Sequence, residues 1–490
     1  MQYISTRDSG DRVSSGLAIV KGISKSGGLY APENLEDIFN YELFEIFKTG
    51  YSKLAAAILN KLLTDFDSDH LVNFAKKTYA DSFGSEPAKL RKLEKNKYVM
   101  ELWSGPTFAF KDYALQILPY LLSEAKEINR INSKTLILVA TSGDTGKAAL
   151  EGFKNSDGIG VAVLFPKDGV SEIQKLQMLT QKGRNVAVFP YEGNFDDTQR
   201  IVKKLMTDSD LIKTVNDMDV SFGSANSINW GRLAPQIVYY FYSYLVLVDK
   251  KEIKFGDKVD FCVPSGNFGN ILAGYYAKRM GLPISKLVCA SNANNVLTDF
   301  ISSGIYSSDR TFYNTISPSM DILVSSNVER LIWDLTDKND KRVSELYRSL
   351  AEKKEFRLTH EEKQRLNENF VAYSCDDTVT ENMISKVFNY SGYLIDPHTA
   401  VAFDAAEKNG FKNPTIIIST ASPFKFSVDV LKALGINSTG FESIRELEKV
   451  SGLKAPKAMV DLEHSAIRFR GSYNKENIRS SIINFSSSLI

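Results

Sequence analysis

The 490-residue chain is poor in the side chains from which many active sites are built. It has three cysteines, Cys262, Cys289 and Cys375, an odd number with no Cys-x-x-Cys spacing. That excludes a disulfide framework and a structural zinc knuckle. Its four histidines, His70, His360, His398 and His464, are far apart, and none sits in a His-Glu-x-x-His frame. A metal centre built on paired imidazoles is therefore not expected, and no metal ligand is assigned. An excess of one charge is also missing, since 60 Lys and Arg against 59 Asp and Glu leave a formal net charge of +1. A nucleic-acid partner would call for a basic excess. No hydrophobic run is long: the densest, Ile237 to Val248, falls well short of the roughly 20 residues that span a bilayer. The first ten residues carry Arg7 and Asp8 and no apolar stretch, so no secretory signal is read. The expectation is a cytoplasmic protein without membrane or nucleic-acid partners.

What is present has an ordinary globular balance, 43% hydrophobic and 24% charged. Residues 1–92 read as a mostly helical N-terminal domain, because apolar residues recur at three and four over Phe44–Phe66 and Leu71–Phe83. Over 93–490 short apolar runs alternate with helical stretches: Thr135–Ala140, Val161–Phe165, Val186–Phe189, Val259–Val263, Leu287–Ala290 and Thr415–Ser419. Continuous rather than alternating hydrophobicity predicts strands covered on both faces, hence an α/β class with largely parallel sheets. Charge density climbs between Asp334 and Asn369, which predicts solvated surface helices in an insertion around 328–390.

Three of these strands run into loops of small residues and then into helices. The loops are Thr141-Ser-Gly-Asp-Thr-Gly146, Ser265-Gly-Asn-Phe-Gly-Asn270 and Thr420-Ala-Ser-Pro-Phe-Lys-Phe426. Ligands of open α/β sheets bind beyond the carboxyl ends of strands, and helix N-termini favour anions. The first loop is not a Walker motif, because Thr141 and Ala148 stand where Gly and Ser or Thr are required. The second lacks the third glycine of a dinucleotide fingerprint. A fourth feature is Lys111, which follows Phe108-Ala-Phe110 and precedes Tyr113-Ala-Leu115. Burial would lower its pKa toward the partly neutral amine that Schiff-base chemistry needs.

Together, Gly105-Pro-Thr-Phe-Ala-Phe-Lys-Asp112, Thr141–Gly146, Val263-Pro-Ser-Gly-Asn-Phe-Gly-Asn270 and Ser419-Thr-Ala-Ser-Pro-Phe-Lys-Phe426 resemble the threonine synthase family of fold-type II pyridoxal-phosphate enzymes. Tyr3–Arg7, Gly27–Pro32, Ser317–Asn327 and Asp396–Val401 also resemble stretches of that family. The resemblance implies a two-lobed α/β architecture with the cofactor, pyridoxal 5'-phosphate, in the cleft. It implies that Lys111 forms the aldimine, that Gly266, Asn267, Phe268, Gly269 and Asn270 wrap the cofactor phosphate, and that Thr420 faces the pyridine nitrogen. Asp144 would lie near the 3'-oxygen, with Thr141, Ser142, Gly143 and Thr145 around the substrate carboxylate. Lys147, Arg232 and Lys425 are candidate cations for the substrate phosphate, and His398 a candidate pocket residue. Ser104 and Ser422 stand where that family often has histidine.

The implied reaction is conversion of O-phospho-L-homoserine and water into L-threonine and phosphate, by a monomer or homodimer acting on a small-molecule substrate. A serine or threonine dehydratase would share the lysine and the glycine loop. A non-catalytic relative that binds cofactor or amino acid is the reading from another class. The N-terminal segment and the 317–327 stretch favour the synthase.

Overall fold

The structure is a computed structural model describing residues 1–167 and 170–489. The apolar runs form strands buried on both faces, gathered into two parallel sheets. The larger has the strand order Phe370–Ser374, Ile284–Ser291, Val259–Pro264, Thr415–Ser419, Lys97–Glu101 and Lys89–Glu94. Its first five strands are parallel and the last is antiparallel. The smaller, all parallel, runs Val186–Tyr191, Ile159–Pro166, Lys134–Ala140 and Val220–Gly223. This is the expected α/β class, and every run named above lies in a strand.

The N-terminal stretch differs in detail from its helical reading. Gly50, at φ 114°, divides the expected Phe44–Phe66 helix into Tyr41–Lys48 and Tyr51–Leu62. The turn-rich start forms a three-stranded antiparallel sheet of Asp8–Val13, Tyr3–Ser5 and Tyr30–Pro32. Strands this short leave too little alternation to read. Residues 1–92 do not pack on themselves alone. The Tyr3 ring lies 5.0 Å from Trp230, and Tyr51 meets Tyr113. One hydrophobic core runs from Tyr3 to Ile418.

The densest apolar stretch lies in the helix Trp230–Asp249, capped by the Asn229 side chain and buried almost all round. No helix among the described residues is long and apolar enough to cross a membrane. The charged region forms the helices Asp340–Lys353 and His360–Asn369, joined by Arg342 to Glu362. Within 328–390, Phe370–Ser374 is no part of a helical insertion: it is the edge strand of the larger sheet. Five residues bracketed by charged helices give almost no periodic signal.

Candidate active site

Lys111, Thr420 and the 265–270 loop all follow strands of the larger sheet at their carboxyl ends, whereas Asp144 opens the helix after strand Lys134–Ala140 of the smaller one. The Lys111 Nζ and Asp144 Oδ2 atoms are 3.3 Å apart, so this contact joins the two lobes.

The lysine segment is held from both sides. Phe108 adopts φ 61°, a left-handed conformation unusual for a bulky side chain. It turns the chain so that the Phe110 N–H donates to Thr420 O at 2.8 Å and the Ser422 N–H to Phe108 O at 3.1 Å. The buried Asp112 carboxylate accepts from the Thr107 amide at 2.8 Å and its hydroxyl at 2.7 Å. Burial pushes the Asp112 carboxyl up to about 6, against those bonds.

Lys111 is itself buried, its Nζ also 3.3 Å from Ser319 Oγ and 4.8 Å from the Phe110 ring centre. Burial lowers its pKa below that of an ordinary lysine; Asp144 opposes the shift, and the Lys425 and Arg232 charges reinforce it. Burial alone would raise Asp144. The Lys425 and Lys111 ammonium groups outweigh it and hold this carboxyl well below the carboxylate range. Lys425 Nζ stands 2.6 Å from Asp144 Oδ1, and Gln174 Nε2 donates to the same oxygen at 2.9 Å.

The 265–270 loop carries a run of donors. The amides of Gly266, Asn267, Phe268 and Gly269 have no backbone acceptor among the described residues. Phe268, at φ 62°, precedes the helix Gly269–Arg279 without a side-chain cap. Successive amides turned inward at a helix N-terminus form an anion nest. Asn270 Oδ1 accepts from the Tyr239 and Tyr240 hydroxyls at 2.7 and 2.9 Å, which leaves its buried Nδ2 without a partner among the described residues.

Arg232 is buried with no carboxylate partner among the described residues. It donates from Nη1 to Ala225 O at 2.9 Å, and its Nε is unsatisfied. Burial lowers its pKa to about 10. A buried guanidinium left this way is costly unless an anion arrives.

Several candidates have other tasks. The Thr141 hydroxyl accepts from the Gly143 and Gly146 amides, both at 2.9 Å, so it shapes its loop. Lys147 pairs with Glu151 at 3.2 Å and with Gln181. Lys425, fully buried, is taken by Asp144 and by Thr107 O at 3.0 Å. Both ring nitrogens of His398 are occupied, Nδ1 at 2.8 Å from Asp396 and Nε2 at 3.2 Å from the Ser319 amide. Ser142 and Thr145 are half-buried. Ser104 Oγ is 3.5 Å from Glu86 O, and the buried Ser422 hydroxyl has no partner among the described residues. Ser319 and Gln174 were not legible as site residues, because neither lies in a glycine loop and only folding brings them to Lys111 and Asp144.

Comparisons with known proteins point to one family. The family model "Pyridoxal-phosphate dependent enzyme" matches residues 86–354, and "Threonine synthase N terminus" matches residues 2–79. Threonine synthase-like 1 of Homo sapiens is 38% identical over 91% of this chain. The alignment covers 62% of that relative, so the chain spans about three fifths of its length. Threonine synthase of Pseudomonas aeruginosa is 38% identical over 88% of this chain and 90% of its own. The crystal structure of pyridoxal-phosphate-bound threonine synthase from Brucella melitensis superposes with a TM-score of 0.89 at 31% identity, covering 99% of both chains.

Proposed function

This chain belongs to the threonine synthase family of pyridoxal-phosphate-dependent enzymes, and from that premise we propose that it converts O-phospho-L-homoserine and water into L-threonine and phosphate. The observation that carries the reading is a buried, pKa-depressed Lys111 amine in the same site as a nest of unpaired amides. An aldehyde needs the first and a phosphate the second, and the orphaned Asn270 Nδ2 gives that phosphate a further donor. The residues present thus fit pyridoxal phosphate.

When bound, the cofactor supplies an electron sink for charge left on the substrate's Cα. The chain does the rest. Gly266 to Asn270 would hold the phosphate through amides and Nδ2, and the helix from Gly269 would add its dipole. The buried Thr420 hydroxyl would lie at the ring nitrogen, where a neutral group would not enforce protonation as a carboxylate would. Asp144, fixed by Lys425 and Gln174, keeps a negative charge beside the lysine. The free Lys111 amine carries protons at the substrate's Cα and Cβ, a task suited to a group whose pKa has moved toward neutrality. The Ser142 and Thr145 amides, which have no backbone acceptor among the described residues, would receive the α-carboxylate, and Arg232 the leaving phosphate. The substrate is a small molecule.

The test is to incubate the holoenzyme with O-phospho-L-homoserine and measure phosphate and threonine together. Turnover of serine or threonine to an oxoacid, with none of the phosphate ester, would replace this reading by the dehydratase. Arg232→Ala is expected to lower kcat/KM for the phosphate ester by about tenfold to a hundredfold, the scale of one charged hydrogen bond. Unchanged kinetics would remove Arg232 from the site.

Gly266→Ala should weaken cofactor binding by about tenfold or more, measured by titrating the apoprotein with pyridoxal phosphate. A Cβ there would stand 2.6 Å from Ser319 O and 3.2 Å from Met320 Cα, both backbone atoms that have little freedom to move aside.

A further inference from the structure

Ser319 supplies one of the two oxygens on the Lys111 amine. Its Oγ and Asp144 Oδ2 each lie 3.3 Å from Nζ. The two acceptors differ in kind. Asp144 is ionised and is anchored by Lys425 and Gln174 as well as by Lys111. The Ser319 hydroxyl is neutral, and Lys111 is its side-chain partner.

Three features fix Ser319 in place. Its N–H donates to His398 Nε2 at 3.2 Å, which requires that nitrogen to be bare and places the ring proton on Nδ1, 2.8 Å from Asp396 Oδ2. Asp396 is buried and accepts also from the His398 amide at 3.0 Å and from the Thr399 hydroxyl, so the imidazole is held in one tautomer. On the other side, Ser319 O packs against Gly266 so closely that no Cβ fits there. Beyond the turn Pro318–Met320, the Asp321 carboxylate accepts from Asn292 at 2.7 Å, Asn294 at 3.0 Å and the Thr315 hydroxyl at 2.7 Å. A backbone secured from three directions brings one hydroxyl to the reacting amine.

We propose that Ser319 is a further catalytic residue, whose hydroxyl accepts a hydrogen bond from Lys111 Nζ and orients that amine, and that His398 is the positioning residue that holds it there. The reaction it serves rests on the proposed function above. With one N–H directed to Ser319 and another to Asp144, the lone pair of the neutral amine points away from both oxygens. Orientation of this kind is worth a substantial part of a proton-transfer rate.

The test uses the S319A holoenzyme. Cofactor occupancy, read from the visible absorbance, is expected to match wild type. The pH dependence of the rate at which the apoprotein captures pyridoxal phosphate needs no substrate and reads the Lys111 amine itself. The Lys111 ammonium donates to Oγ, so losing the hydroxyl disfavours the protonated form, and the midpoint of that profile should fall by about half a unit or more. Turnover should drop about tenfold to a hundredfold with KM within about threefold. A midpoint shift smaller than that overturns the proposal. If wild type did not turn over O-phospho-L-homoserine, the functional reading would fall, and the capture profile would still decide the role of Ser319. Among His398 variants, H398Q offers an amide oxygen to the Ser319 N–H and should keep the wild-type midpoint, while H398L should fall to the S319A value. A wild-type midpoint in H398L would remove His398 as the positioning residue.

Discussion

Lys111→Ala is expected to abolish the visible absorbance of the holoenzyme and to reduce threonine formation by about 10⁴-fold, the upper end for a positioned acid-base group. The amine can both capture an aldehyde and shuttle protons, and its environment suits both tasks. Burial removes the water that would stabilise an ammonium, and two further cations, Lys425 and Arg232, disfavour another positive charge. Asp144 opposes the shift but is itself engaged at 2.6 Å by Lys425. Lys111→Arg makes the sharper control, since it keeps the positive charge and lacks a titratable amine. It should be as inactive as the alanine variant. Activity in either at the wild-type level would remove Lys111 from the mechanism and the family assignment of its role with it.

Lys425→Met is expected to act on stability and on the Lys111 amine together. Lys425 has no exposed side-chain surface, and Asp144 has almost none. Without Lys425 the buried Asp144 carboxylate keeps only Lys111 at 3.3 Å and the Gln174 amide, and the loss costs up to about 3–5 kcal/mol, which thermal or denaturant unfolding reads directly. The second effect follows from sign. Lys425 repels a proton on Lys111, and its loss leaves Asp144 to pair with Lys111 alone. Both changes raise the Lys111 pKa. At neutral pH the fraction of free amine falls, so capture of pyridoxal phosphate slows, and the pH at which capture reaches half its maximal rate moves upward. Adding Asp144→Asn removes the under-compensated charge and should return most of the lost stability. If Lys425→Met unfolded like wild type and captured cofactor with an unchanged pH profile, the pair would have no role in tuning the amine.

Much of this was legible beforehand, for reasons that differ by element. Strand Thr415–Ser419 and the core of strand Ile284–Ser291 announce themselves because a strand covered on both faces must be apolar throughout. The nest at 266–270 is local in sequence, so its glycines and following helix could be seen together. Lys89–Glu94 was hidden because an edge strand facing solvent carries Lys, Arg and Glu. Among the candidate cations, Lys147, Arg232 and Lys425 look alike in one dimension. They separate only when their partners are known: Glu151 for the first, Asp144 for the last and no carboxylate among the described residues for Arg232.

By itself the sequence determined the scarcity of thiols and imidazoles, the α/β class, the amide nest and a lysine set among aromatic residues, because each is a property of neighbours along the chain. The tertiary structure alone decided how that lysine is tuned. Asp144 lies 33 residues from Lys111, Ser319 lies 208 residues from it, and His398 lies 79 residues beyond Ser319. Charge and hydrogen bonding act through a few ångströms of space, and only the packing of the two sheets brings those groups within that range.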